Sequence, residues 1–247
     1  MRLPPTYTLL THGGIRAAVR TDLADVLGPW LLAPVLERPA GAESIASGRG
    51  SAYRAQLRGG VRAVVRPYRR GGWLARVVRE TYLGWRPRPL RELIATVEAR
   101  RRGVAAVEVL AARVEGGLAY RGALVTAEVA DAMPLIDALR GATDAGARAA
   151  LARSAGSVVA AMHAAGVVHP DLNLTNLLAR AGAVVAVVDL DRAGLVTPPL
   201  GAPARRRSLR RLRRSLRKLD PEGALGDAAA IAAFRSSYAE AGLPCAC

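Results

Sequence analysis

A chain of 247 residues, 51% of them hydrophobic, carries enough apolar material to bury a core, which excludes a wholly disordered polymer. Its formal net charge of +16, almost all of it from arginine, predicts attraction to phosphate on a nucleotide, a nucleic acid or an anionic membrane surface. The two cysteines, Cys245 and Cys247, are too close in sequence for an unstrained disulfide and too few for a metal cage.

The N-terminal stretch MRLPPTYTLLTHGG lacks the long apolar core of a signal peptide, and no segment reaches the roughly 18 apolar residues a spanning helix needs. A soluble, cytoplasmic protein is expected. Residues 1–45 are read as an N-terminal extension on or near the domain that follows. SAYRAQLRGGVRAVVRPY (51–68) predicts a hairpin, two alternating segments around the turn signal RGG. The next stretch, 66–88, interleaves arginine with Trp73, Tyr82 and Trp85, a pattern that suits a wet loop surface facing an anionic substrate. RELIATVEARRRG (91–103) has helical spacing and a C-terminal stop at Gly103. LAYRGALVTAEV (118–129) is strand-like, with RG as its expected turn. Residues 144–166 predict a long Ala-rich helix stopped by Gly166. AVVAVVDLD (183–191) belongs to a second short hairpin. RRRSLRRLRRSLRKL (205–219) sets Leu209, Leu212, Leu216 and Leu219 on one stripe of a basic helix. Strands come early and helices late, without repeats or a flexible linker. The expected class is α+β, with a β-rich lobe over 46–130 and an α-rich lobe over 131–247.

HPDLNLTNLL (169–178) sets His169, Asp171, Asn173 and Asn176 in a polar loop between apolar elements. Asp189 follows at the end of the apolar run VVAVV. Carboxylates beside such runs are unfavourable unless paired or bound to a cation. Asn176 and Asp189 are hard oxygen donors suited to Mg²⁺, and Asp171 can accept a hydroxyl proton. Metal ligands and a base are the parts a phosphoryl transferase needs. Taken singly, each residue could equally cap a helix or satisfy loop amides.

HPDLNLTN resembles the kinase catalytic loop H-R-D-L-x-x-x-N, and DLD at 189–191 resembles D-F-G. The resemblance implies a protein-kinase-like two-lobed fold with ATP and Mg²⁺ as cofactors. It makes Asp171 the catalytic base, Asn176 and Asp189 the metal ligands, and His169 a brace for the loop. GRGSAY (48–53) is similar to the Gly-rich loop over ATP phosphates, with Gly48 and Gly50 retained and Tyr53 in place of a third glycine; an ordinary turn is the competing reading. AVVR (63–66) stands where V-A-I-K would, so Arg66 takes the place of the phosphate-binding lysine, with Glu92 as its ion-pair partner. Pro170 replaces an arginine, Asp191 replaces a glycine, and the 56 residues after Asp191 contain no A-P-E. These departures favour a small-molecule or glycolipid substrate over a protein.

VVRPYRRGGWLARVVRETYLGWRPRPLRE (64–92), HPDLNLTNLL and VVDLDRAGL are similar to the lipopolysaccharide core kinases, above all those acting on 3-deoxy-D-manno-octulosonic acid (Kdo), over residues 46–219. That resemblance implies an ATP-dependent kinase phosphorylating a sugar hydroxyl of Kdo on a lipid A precursor. It would be peripheral on the cytoplasmic face of an inner membrane, with the basic helix against anionic lipid. Neither nucleic acid nor an obligate protein partner is expected. The alternatives are a kinase for a core heptose, another small molecule or a protein, or a basic membrane- or nucleic-acid-binding module without activity.

Overall fold

The computed structural model describes residues 2–45, 52–68, 82–83 (backbone) and 87–242. The chain divides into two compact units, Met1–Val97 with Glu108–Glu128, and Glu98–Val107 with Val129–Cys247.

The first unit is built on one antiparallel sheet. In chain order its elements are β1 (Tyr7–His12), β2 (Ile15–Arg20), α1 (Ala24–Leu31), β3 (Glu43–Ser44), β4 (Tyr53–Gln56), β5 (Arg62–Pro67), β6 (Tyr82–Leu83), α2 (Arg88–Arg101), β7 (Val109–Gly116) and β8 (Ala119–Ala127). The spatial order is β1-β2-β7-β8-β5-β4-β3, with β6 also paired to β8. The expected hairpin is β4–β5, in register Tyr53↔Val65 to Gln56↔Arg62. Residues 7–31, read from sequence as part of an extension, supply β1, β2 and α1 to this sheet and its core.

Both faces of the sheet are covered at its centre, which explains the nearly continuous burial of β7. Successive side chains of a strand point to opposite faces. Ala17 and Val19 of β2 pack with Leu27 and Leu31 of α1, whereas Ala18 between them packs with Leu90 and Leu93 of α2. Arg113 on β7 is buried and ends α1: its guanidinium donates to the carbonyls of Leu31 and Ala33, both at 2.8 Å, and pairs with Glu115 at 3.0 Å. A cation there offsets the partial negative charge of the helix C-terminus.

The turn expected at Arg121–Gly122 is not a turn. β8 runs straight through it, with Gly122 opposite Val114. A Cβ on Gly122 would come within 2.6 Å of Pro89 Cγ and 2.9 Å of the Arg113 carbonyl. The glycine marks a close approach of α2 to the sheet, not a reversal of the chain. The reversal falls earlier, at Gly116, whose φ of +100° suits glycine. α2 begins three residues before the predicted helix and stops as expected at Gly103, φ +84°.

The second unit contains β9 (Met133–Pro134), α3 (Leu135–Gly141), α4 (Ala145–Ala164), β10 (Val167–Val168), β11 (Leu177–Arg180), β12 (Ala183–Val187), β13 (Gly194–Leu195), α5 (Ala202–Leu219) and α6 (Ala228–Glu240). β12-β11-β9 form one small sheet and β10–β13 another. α4 starts where the Asp144 carboxylate accepts the Ala147 N–H at 2.8 Å, and its run ends at Gly166, φ +70°. α6, for which the sequence carried no clear signal, is capped by Asp227 and packs on α4. Gly156 permits that contact, since a Cβ there would meet the Phe234 carbonyl at 2.5 Å. The core joins Leu151, Val159 and Met162 of α4 to Leu172, Leu177, Leu190, Leu209, Leu212 and Tyr238. The leucine stripe of α5 therefore faces inward, Leu216 and Leu219 packing more loosely on the same core.

Candidate active site

Residues 169–176 form a loop whose apolar members anchor it and whose polar members shape it. Leu172 and Leu174 are sunk in the core, which fixes the loop at alternate positions and turns Asp171 outward to solvent. His169 is fully buried. The Asp171 N–H donates to its Nδ1 at 3.2 Å, so Nε2 carries the proton and donates to the Val188 carbonyl at 3.1 Å. Burial pushes the pKa of this imidazole down, the nearby Asp189 and Asp171 charges opposing that only in part. A neutral ring with one donor and one acceptor is what both contacts require.

Asn173 closes the turn. Its Oδ1 accepts from the Thr175 N–H at 2.8 Å, the Thr175 hydroxyl at 2.6 Å and the Asn176 N–H at 3.1 Å. Asn176 is buried, and its Nδ2 donates to the Asp171 carbonyl at 2.9 Å, which leaves Oδ1 as the amide atom able to bind a cation. Its backbone carbonyl accepts from Val188 N–H at 3.0 Å. The backbone of 188 thus touches both His169 and Asn176, and Asp189 is the next residue. Asp189 is half-buried at φ +61°, a left-handed backbone uncommon outside glycine and retained where surrounding structure enforces it. One amide oxygen and one carboxylate are the donor chemistry that magnesium prefers.

α5 reaches this loop as well. Ser215 Oγ accepts the Leu174 N–H at 3.2 Å. Arg211, one turn earlier on the helix, is close enough to His169 to add a small downward push to its pKa. The sequence reading did not find Ser215, since a serine within a basic repeat carries no signal of its own.

The first unit holds the other predicted pair. Arg66 of β5 donates to both carboxylate oxygens of Glu92 on α2, and the side chain of Glu92 is 2% exposed. Tyr68, which sequence reasoning missed, donates its hydroxyl to the same carboxylate. Its ring lies beneath two guanidinium groups, Arg66 at 5.2 Å and Arg88 at 5.4 Å from the centroid. A carboxylate at this depth is unfavourable without such partners. The signal available in sequence was the two-residue spacing of Arg66 and Tyr68, which puts Tyr68, just past the end of β5, on the same side as Arg66. The chain's single lysine is Lys218 on α5, so no strand lysine exists to bind phosphate. Gly48 and Gly50, Trp73, Trp85, and Cys245 with Cys247 lie outside the described residues, as do the side chains of Tyr82 and Leu83. Among the described residues no group of three or more His, Cys, Asp or Glu is arranged to hold a metal ion.

The lipopolysaccharide kinase (Kdo/WaaP) family model matches residues 42–238. The chain belongs to this family. The match runs past residue 219 and covers α6 as far as Tyr238. The 3-deoxy-D-manno-octulosonic acid kinase of Xanthomonas oryzae pv. oryzae (strain PXO99A) is 38% identical over 177 residues, 70% of this chain and 68% of the relative. Its counterpart in Vibrio cholerae serotype O1 is 32% identical over 177 residues, 70% of this chain and 72% of the relative. Among solved structures, a glucosamine kinase superposes with a TM-score of 0.51 at 16% identity, covering 95% of this chain and 81% of that one. At that identity the likeness shows a shared kinase fold: α+β, with an antiparallel-sheet unit and a helical unit.

Proposed function

We propose that this member of the lipopolysaccharide kinase family is an ATP-dependent kinase that phosphorylates a sugar hydroxyl of Kdo on a lipid A precursor. The observation that carries the reading is the 169–176 loop. A neutral His169, leucine anchors and an Asn173 turn hold Asp171 outward beside Asn176 and Asp189, in a chain related to Kdo kinases over 70% of its length. In this reading the acceptor hydroxyl lies at Asp171. As the hydroxyl oxygen bonds to the γ-phosphorus, its proton passes to the carboxylate of Asp171 and the bond to the leaving ADP oxygen breaks. Arg66, held by Glu92, takes phosphate oxygens in place of a lysine, and Gly48 and Gly50 are proposed to approach the same phosphates. Asn176 and Asp189 would hold magnesium, which when bound neutralises charge on the phosphates. Mass spectrometry of a Kdo–lipid A precursor incubated with the protein and Mg-ATP tests the reading. A gain of one or more phosphates on Kdo supports it, and an unchanged mass removes it.

The acceptor is membrane-borne in this reading, and α5 supplies a surface to meet it. Arg206, Arg207, Arg210, Arg213, Arg214, Arg217 and Lys218 are all exposed, and none makes an ion pair among the described residues. No described helix is long and apolar enough to cross a bilayer. In this reading the helix attaches the chain peripherally to the cytoplasmic face of the membrane. Each cation near an anionic surface contributes about 1 kcal/mol. Changing Arg206, Arg210, Arg213 and Arg217 to Gln removes four from one helical face. The variant is expected to lose at least tenfold in partition to anionic vesicles, with its thermal midpoint unchanged. Salt should weaken the wild type likewise, as the Debye length shrinks from about 10 Å at 0.1 M to about 3 Å at 1 M. Equal sedimentation with neutral and anionic vesicles would dispose of the membrane role.

A further inference from the structure

Arg192 occupies left-handed backbone that the described residues of this chain mostly give to glycine. Leu190–Ala193 is a closed turn, the Ala193 N–H donating to the Leu190 carbonyl at 3.0 Å, and Arg192, third in the turn, sits at φ +61°. A turn with positive φ at its third residue is ordinarily built with Gly or Asn, because a Cβ there crowds the neighbouring backbone. Among the described residues eleven glycines take positive φ, so the chain uses glycine freely where left-handed backbone is needed. The other non-glycine cases have local accounts. Asp131 and Asp189 are aspartates, which tolerate this region, and Ala181 with Gly182 makes the two-residue loop of the β11–β12 hairpin. Among the described residues Arg192 alone sets a long side chain on such backbone, and it does nothing for the turn. It is exposed, and among the described residues it makes no hydrogen bond or ion pair.

Its setting says what it could bind. Arg192 directly follows Asp191 and lies three residues after Asp189, in a unit whose loop presents Asp171. The strand that follows the turn pairs Gly194 with Val168 at the entry to that loop, so turn and loop are neighbours, and an exposed guanidinium there offers a two-toothed geometry matched to a carboxylate. We infer that Arg192 is a specificity-determining residue that receives the carboxylate of the sugar-acid acceptor and brings its hydroxyl toward Asp171. The inference rests on the proposed kinase reading, in which the acceptor is an octulosonic acid. A phosphate of ATP could offer Arg192 similar oxyanion chemistry, and the experiment separates the two sources.

The test compares wild type with Arg192→Gly, using a Kdo–lipid A precursor and its carboxyl-reduced analogue. Glycine suits the turn, so the thermal midpoint should hold or rise, which removes misfolding as an explanation. The variant is expected to raise the acceptor KM at least tenfold and leave the ATP KM unchanged. Wild type should lose a similar factor on the carboxyl-reduced acceptor, and the variant should lose little more. Arg192→Lys should fall between. An unchanged acceptor KM, or a full further loss when the variant meets the reduced acceptor, overturns the assignment. A rise confined to the ATP KM also overturns it, by making the nucleotide the ligand. Equilibrium binding of the two acceptors without ATP gives the same comparison independently of turnover. Absence of transfer by wild type would therefore count against the kinase reading, and equal binding by wild type and variant would count against Arg192.

Discussion

His163 and His169 lie in the same unit, six residues apart, and burial lowers the pKa of both. Their wiring differs. His169 touches backbone only, the Asp171 N–H and the Val188 carbonyl, so it fixes the path of the chain around Asp171. His163 touches side chains of two other helices, the Tyr238 hydroxyl at 2.7 Å and Ser208 Oγ at 3.0 Å, so it ties α4 to α6 and α5. Phe234 stacks on Tyr238 and extends the same junction. One buried neutral imidazole shapes a site, and the other holds a helix bundle together. Perturbing each should therefore separate activity from stability.

The largest separation is expected at Asp171. Its backbone N–H and carbonyl hold the loop, through His169 and Asn176, while its carboxylate is exposed. Asp171→Asn should slow phosphoryl transfer by roughly 10²–10⁴-fold and leave the thermal midpoint unchanged. Near-wild-type turnover would remove the base assignment, and a large drop in midpoint would make the carboxylate structural. The two histidines come next. His163→Leu leaves the Tyr238 and Ser208 hydroxyls without their partner in the core, a loss of about 2–4 kcal/mol in chemical denaturation. The kcat of its folded fraction should stay close to wild type. His169→Leu should do the reverse, cutting kcat more than tenfold for a smaller loss of stability. Equal effects from both substitutions would erase the distinction.

What sequence disclosed follows the same division. The loop was legible because its polar residues interrupt apolar runs at fixed spacing, and a motif of that kind depends on local backbone. The pairing of Arg66 with Glu92 was legible only through resemblance to kinases, since 26 residues separate them. Tyr68, Ser215 and the His163 junction were not legible. Each depends on which helix or strand face meets which, and the Ala-rich α4 and α6 carry almost no amphipathic signal to say so. Gly122 misled for a physical reason, as glycine serves both turns and close approaches, and only the position of Pro89 decides between them. The N-terminal strands were missed because β1 keeps much of its surface exposed and β2 relies on alanines, leaving little alternation to read.

The smallest effect expected is on the response to acid, and it sharpens the contrast between the two histidines. Burial, aided by the charge of Arg205, lowers the pKa of His163 to about 4, from about 6.5 in the unfolded chain. Of the groups around it, burial raises the Tyr238 pKa away from this range. As pH falls below about 6.5 the unfolded chain binds the proton first, so stability declines with falling pH until the folded imidazole also titrates near 4. The slope approaches about 1.4 kcal/mol per pH unit, or about 2 kcal/mol by pH 5. Carboxylates such as Glu98, held at about 2 by Arg101 and Arg102, begin to add their own loss as pH falls through the ordinary carboxylate value near 4.5. The window between pH 6.5 and 5 therefore reports the histidines. His163→Gln keeps a donor and an acceptor for Ser208 and Tyr238 but cannot titrate. It should be less stable than wild type at pH 8 and should lose less as pH is lowered to 5, with His169 contributing the same slope to both proteins. Urea denaturation at half-unit pH steps measures the difference. Parallel curves for wild type and His163→Gln would show that the His163 junction does not resist protonation, and that the two buried histidines are not alike in charge.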